Sequence, residues 1–272
     1  MRFLGVDAPE VSIPLPGTSR PFVNLTDQRW AAVLTDPLAA EAGPAFDPPL
    51  EAGLTAHLSG LAGAGEAGNH ARLAAGATTA LEDMVRADMT ALGKTKDDFR
   101  FFLAFAGEVM DRYGRLLGYL HPDQPDTTAA QRFGSYNERL LAAGWVSPYF
   151  IWPNINPFRR AGSVTAAVPP SGGAAELAEH DGSLRAARRA VAQARQQELG
   201  LYEAAAPMRL LPFELRFLAR RQPPDRWLVD LSTDAEVLLP PQAYPDVPRP
   251  EDRLFVPAEY VPLWEQHGWQ RG

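Results

Sequence analysis

Apolar and polar positions along the chain predict a strand at the start and a hairpin near the middle. Residues 1–10 begin with an apolar run and end in a turn at Pro9, a residue that stops strand pairing. Residues 99–105 and 116–120 are apolar or aromatic on both sides of a polar turn, which is the pattern of a β-hairpin.

Helical periodicity is clearest in three segments. Residues 77–92 place their apolar side chains on one stripe, and residues 135–143 form a shorter pattern that ends before a glycine. Residues 183–199 are the clearest helix, with Ser183 as a plausible N-cap and Gly200 as the residue that follows the end.

Glycine and proline weaken the pattern elsewhere. Residues 11–50 read as a loop, and residues 50–75 have leucines at helical spacing that several glycines interrupt. Near the end, residues 208–218 fit either a strand or a helix, and two strands are predicted at 227–231 and 235–239.

Composition and charge exclude several classes of protein. The chain of 272 residues has no cysteine, so it has no disulfide, no cysteine-based zinc site and no thiol nucleophile. It has no run of 18 apolar residues that would span a membrane, and its localisation stays open. A net charge of −7 argues against indiscriminate coating of nucleic acids or membranes.

The charge is nevertheless uneven along the chain. Residues 1–93 hold 5 basic and 11 acidic side chains, whereas residues 94–203 hold 13 basic and 12 acidic side chains. The acidic excess therefore lies mostly outside the middle of the chain.

Four segments occur in the order of the motifs of a known family. They are RFLGVDAPE at 2–10, DRYGRLLGYL at 111–120, YNERLLAAGWV at 136–146, and residues 184–202, which end in a Gly-apolar-aromatic step. Together they resemble the staphylococcal (micrococcal) nuclease family. The two middle segments are the most specific pair.

The resemblance implies an α+β, mainly β fold, an OB-fold barrel with helices packed on it. It divides the chain into a nuclease-like domain of residues 1–10 plus 94–203, a loop and helical insertion at 11–93, and a β-rich C-terminal extension at 204–272.

The resemblance also implies a nuclease that hydrolyses DNA or RNA with Ca²⁺. Glu10 matches the carboxylate that activates water, and Arg2 and Arg115 match the arginines that stabilise the phosphate. Tyr113 matches a tyrosine that binds the substrate near its phosphate.

Calcium would bind hard oxygen donors at the end of the first strand. Asp7 matches a carboxylate ligand, and Ala8 keeps the backbone carbonyl of the next ligand but lacks its hydroxyl. The two strands that precede this segment in the family, with a second carboxylate ligand, are absent before Met1. The strand pair at 227–239 resembles them, so Asp230 or Asp234 could complete the calcium site. Alternatively, 208–272 is an appended module.

A second class of function stays open: a nuclease-like module that binds nucleic acid or protein without cutting it. The aromatic residues Trp145, Tyr149, Phe150 and Trp152 could stack on bases, although packing is their more common role. The five histidines show no metal-binding spacing and are predicted to lie mostly at the surface.

Overall fold

The computed structural model describes residues 1–111, 113–124, 127–128 and 131–272. The fold is mixed α/β, with 43% of residues in helices and 17% in strands. The prediction of a mainly β chain is therefore wrong, because helix exceeds strand. Much of the additional helix comes from residues 52–91, where abundant alanine offsets the glycines.

The described part of the chain contains eight α-helices: α1 (Gln28–Thr35), α2 (Ala52–Leu61), α3 (Gly65–Ala91), α4 (Tyr136–Ala142), α5 (Ala174–His180), α6 (Gly182–Gln196), α7 (Pro212–Arg220) and α8 (Val261–Gln266). The strands are β1 (Arg2–Phe3), β2 (Gly5–Asp7), β3 (Ser12–Pro14), β4 (Phe22–Asn24), β5 (Phe101–Met110), β6 (Leu116–Pro122), β7 (Ser147–Ile151), β8 (Trp227–Asp230), β9 (Val237–Leu238), β10 (Arg253–Val256) and β11 (Gln270–Arg271).

The larger strands form two open sheets. One has the order β1-β6-β5, in which β1 is parallel to β6 and β5 and β6 form an antiparallel hairpin. The other has the order β2-β7-β10-β8, with only the β7–β10 pair parallel. No barrel closes among the described residues, so the predicted OB-fold barrel is not confirmed.

The four-stranded sheet has a hydrophobic cluster on each face. Neighbouring residues of a strand point to opposite faces, so Leu254 of β10 packs with α4, α6 and α8, while Phe255 packs with α1, α2 and α7. Both clusters include residues from 204–272, since β8, β10, α7 and α8 all lie in that segment. The segment therefore shares the core of the rest of the chain.

Several predicted elements are confirmed, with shifted ends. The helix predicted at 77–92 is the second half of α3, and those at 135–143 and 183–199 correspond to α4 and α6. The predicted hairpin at 99–120 is β5 and β6, although Arg112 of its turn lies outside the described residues. The ambiguous segment 208–218 is helical from Pro212 onwards, where α7 begins.

Candidate active site

The site begins where the chain passes from one sheet to the other. The Leu4 N–H donates to the Gly118 carbonyl at the end of the β1–β6 pairing, 3.2 Å apart. Gly5 then has a φ of +74°, which an L side chain rarely adopts, and a Cβ there would lie 3.2 Å from the Tyr119 hydroxyl. This turn leaves Arg2 on the first sheet and Asp7 on the second, close to their junction.

One arginine bridges the two carboxylates that the sequence singles out. Arg216 of α7 donates from Nη2 to Asp7 Oδ2 at 2.7 Å and from Nη1 to Glu10 Oε1 at 2.8 Å. The side chains of Arg216, Asp7 and Glu10 are 15, 6 and 26% exposed. We call Arg2, Asp7, Glu10 and Arg216 the junction site.

Buried contacts hold helix α7, and with it Arg216, in place. The helix begins at Pro212, and the carboxylate of Glu214 reaches back to accept from the Leu211 N–H at 2.6 Å. Glu214 is fully buried and its other oxygen accepts from the Tyr244 hydroxyl and pairs with His57, each at 2.8 Å. Because these contacts fix the helix, they also fix the origin of the Arg216 side chain.

His70 of α3 lies behind Glu10 and is fully buried. Its Nδ1 accepts from the Glu10 N–H at 3.4 Å, and its Nε2 donates to the Leu210 carbonyl at 2.8 Å. Both contacts are those of a neutral imidazole with its proton on Nε2. Burial lowers the pKa of His70 to about 4, which is consistent with this neutral form. The histidine therefore connects Glu10 to the segment that leads into α7.

Burial and neighbouring charges shift the other groups of the junction site. Burial raises the pKa of Glu10, and Arg216 partly opposes this rise. Burial alone would lower the pKa of Arg216. The negative charges of Asp7 and Glu10 have the larger effect and raise the Arg216 pKa. Burial lowers the pKa of Arg2, and the nearby positive charges of Arg216 and Arg115 act in the same direction, against Asp7.

Arg115 lies at the edge of the junction site. Arg2 is paired in register with Leu117, and Arg115 directly precedes β6, close enough to Arg2 for its charge to lower the Arg2 pKa. The Arg115 guanidinium pairs with Asp111 at 2.7 Å and lies 5.5 Å from the centre of the Tyr113 ring. Tyr113 is 62% exposed. The structure thus brings Arg2, Asp7 and Glu10 together, with Arg115 and Tyr113 beside them.

The strand pair at 227–239 does not reach the junction site. β8 lies at the opposite edge of the four-stranded sheet from β2, three strand spacings away, which is about 14 Å. Asp230 accepts from the N–H and hydroxyl of Ser232 in its own turn, and Asp234 lies beside Gly172. The structure therefore does not bring Asp230 to Asp7, because two strands separate them in the sheet, and the completion of a calcium site by Asp230 or Asp234 stays a prediction.

The donor set of the junction site does not fit Ca²⁺ as it is arranged. Asp7 and Glu10 each accept from Arg216, so a positive charge already lies between them. The Ala8 carbonyl adds at most one neutral donor, whereas calcium prefers six to eight oxygens. In the part of the chain that the structure describes, no group of three or more His, Asp or Glu is placed to hold a metal.

Two predictions about side chains outside the motif are also resolved. Tyr149, Phe150 and Trp152 are buried, so their role is packing, and they offer no surface for base stacking. The histidines were expected at the surface, but His70 is fully buried because α3 extends further towards the N-terminus than predicted.

Sequence reasoning missed the partners that come from distant segments. Arg216 lies 206 residues from Glu10 along the chain, and its only local signal is an arginine among the buried residues of PFELRFLAR. Arg226 donates to the Tyr149 hydroxyl at 2.7 Å, and Tyr149 in turn interacts electrostatically with Arg2 and Arg216. Neither arginine lies in a segment that resembles the nuclease motifs.

Comparison with known proteins adds no assignment. No family model matches the chain, and no curated protein matches it significantly. Of the described residues, none forms a helix long and apolar enough to cross a membrane.

Proposed function

We propose that this protein hydrolyses phosphodiester bonds of DNA or RNA at the junction site. The observation that carries the proposal is the convergence of one half-buried carboxylate, Glu10, with the arginines Arg2 and Arg216. Phosphodiester hydrolysis requires a base for water and fixed cations for the charge that develops on the phosphoryl oxygens.

The roles follow from the geometry. Arg216 holds Glu10 through Oε1, so Oε2 is the oxygen that would take a proton from the attacking water. A bond then forms between the water oxygen and phosphorus while the ester bond to the departing oxygen breaks, and solvent protonates that oxygen. Arg2 and the more exposed Arg115 would bind the phosphoryl oxygens, because a guanidinium keeps its charge and donates in a planar fork.

Contacts among the first three motif segments support the proposed likeness to the nuclease family. Asn137 of α4 donates to the carbonyls of Leu4 and Gly118 at 2.9 and 3.2 Å, and its Oδ1 accepts from the Leu120 N–H at 3.1 Å. The first three motif segments thus meet at one buried amide. We propose an OB-type origin for the sheet β1-β6-β5 on this basis.

The test is cleavage of plasmid and of labelled single-stranded DNA and RNA by the full chain, with millimolar Ca²⁺ and separately with chelator. We expect Glu10→Gln to lower the cleavage rate by about 10²–10⁴-fold, since it removes a general base but keeps a similar shape. Glu82→Gln is the matched control, because Glu82 is 58% exposed on α3 and pairs with Arg86 of the same helix. If the unmodified protein leaves every substrate intact, or if Glu10→Gln cuts equally well, the proposal is wrong.

The second candidate is a module that binds nucleic acid without cutting it. One observation favours it: the β5–β6 hairpin and its turn expose the aromatic side chains of Phe101, Phe102, Phe105 and Tyr113. Aromatic side chains of this kind can stack on unpaired bases. Intact substrate, combined with single-strand affinity that Phe102→Ala weakens, would support this function instead.

A further inference from the structure

The Arg216 guanidinium has the geometry of a bridging cation. Its two terminal nitrogens each donate to a different carboxylate, at 2.7 Å to Asp7 and 2.8 Å to Glu10. A divalent ion between two carboxylates would be bound by the same two side chains. The arginine is therefore placed where such an ion would otherwise lie.

The surroundings keep Arg216 from leaving this position. Asp7 is only 6% exposed, so moving the guanidinium away would leave a buried carboxylate without its charge partner. Pro212, Glu214 and Leu215 of the same helix are buried, which fixes the helix against the core. His70 fixes the backbone of Glu10 on the other side.

The charge balance of the junction site also disfavours an added divalent ion. Two carboxylates and two arginines sum to zero charge, and burial makes repulsion between like charges stronger than in water. Adding Ca²⁺ would bring two more positive charges beside Arg2 and Arg216. Removing Arg216 would reverse this balance, since two carboxylates would then face a single arginine.

We propose that the Arg216 side chain permanently occupies the cation position between Asp7 and Glu10, so that the site binds a phosphodiester through arginines and needs no divalent metal. The inference rests on the proposed function for its catalytic consequence. The position of the Arg216 side chain is a property of the protein without substrate, and it is tested separately from cleavage.

The first experiment follows thermal unfolding and calorimetric binding of Ca²⁺ alone to the full chain. We expect millimolar Ca²⁺ to leave the unmodified protein unchanged. Arg216→Gln should unfold at a lower temperature, and Ca²⁺ at tenfold excess over its dissociation constant should raise its Tm by roughly 2–5 °C. Arg271→Gln is the matched control, because Arg271 pairs with the exposed carboxylate of Glu265, and its loss should create no calcium response.

Calcium binding by the unmodified protein tests the inference even if Arg216→Gln does not fold. Binding of Ca²⁺ by the unmodified protein that Asp7→Asn abolishes would overturn the inference. A folded Arg216→Gln variant that gains no calcium response would also overturn it.

The cleavage assay separates this inference from the proposed function. Cleavage that persists in chelator supports both. Cleavage that requires Ca²⁺ supports the nuclease function and overturns the role of Arg216. Intact substrate in every condition, together with the expected calcium response of Arg216→Gln, overturns the function and leaves the cation role supported.

Discussion

His70 shows how a single buried side chain can make the stability of the junction site depend on pH. It is neutral when folded, with its pKa lowered by burial to about 4 from an unfolded value of 6.5. Between these two values the unfolded chain binds a proton that the folded chain does not. Lowering the pH through this window therefore favours unfolding, and the stability due to the neutral ring is complete only above pH 6.5.

We expect His70→Gln to remove this part of the pH dependence. The histidine should account for about 3 kcal/mol of the free energy of unfolding lost between pH 6.5 and pH 4. Urea unfolding at several pH values measures the difference between the variant and the unmodified protein. His180→Gln is the control, because His180 is exposed on α5. Equal pH profiles for His70→Gln and the unmodified protein would contradict the neutral buried imidazole.

At the residue scale, the sequence predicted the site residues that lie close together along the chain and missed the partner that lies far from them in sequence. Arg2, Asp7 and Glu10 lie on one short segment, so a strand and a turn are enough to place them close together. Arg216 is separated from them by most of the chain, and no local period links a helix at 212–220 to a strand at 5–7. The ion pair itself needs the tertiary fold.

Helix α3 shows why element boundaries were harder to predict than element types. Its glycines suggested a weak helix before residue 77, yet α3 begins at Gly65. Buried side chains such as Leu73 and Ala74 pack against neighbouring segments and stabilise a helix whose intrinsic propensity is modest. Intrinsic helix propensity predicted only the second half of α3, where fewer glycines interrupt the apolar stripe.

Two glycines of α3 should respond in opposite ways to replacement by alanine. A Cβ on Gly76 would overlap the indole of Trp145, whereas a Cβ on Gly68 would meet nothing within 4 Å. We expect Gly76→Ala to lower the free energy of unfolding by about 1–3 kcal/mol through overpacking. Gly68→Ala should raise it by about 0.5–1 kcal/mol, because alanine favours the helix.

Chemical denaturation of the two variants beside the unmodified protein measures both effects. Each variant serves as the control of the other, since the substitution and the helix are the same. Stabilisation by Gly76→Ala would show that Trp145 does not pack against α3 as the structure has it.

At the scale of the whole molecule, the order of strands in the four-stranded sheet could not be predicted from the sequence. The predicted strands at 227–231 and 235–239 form and meet at an antiparallel bridge between Leu228 and Leu239, but β8 pairs along its whole length with β10, which lies between β8 and β7. Strand patterns identify which residues form strands, and they contain no information on which distant strand lies beside them. The C-terminal segment was therefore predicted as an extension, whereas it supplies β8 and β10, two strands of the four-stranded sheet.

Residues 204–272 also supply ion-pair partners for charged side chains in the rest of the chain. Asp252 and Glu251 pair with Arg188 and Arg195 of α6, and both carboxylates are buried. Arg216 pairs with Asp7 and Glu10. Loss of this segment would leave the buried carboxylate of Asp7 without its partner and would expose the edge of β7, a combination that disfavours the folded state.

We therefore expect a chain that ends at residue 203 not to fold cooperatively. It should lack the near-ultraviolet circular dichroism of packed aromatic side chains and should show no sigmoidal urea transition, because β10 and α8 no longer cover Phe150 and Trp152. A chain that ends at residue 269 is the control, since it loses only β11 and Gly272, three exposed residues. The control should keep a single transition that fluorescence and circular dichroism report together. A cooperative transition in the chain of residues 1–203 would instead support a separate C-terminal module.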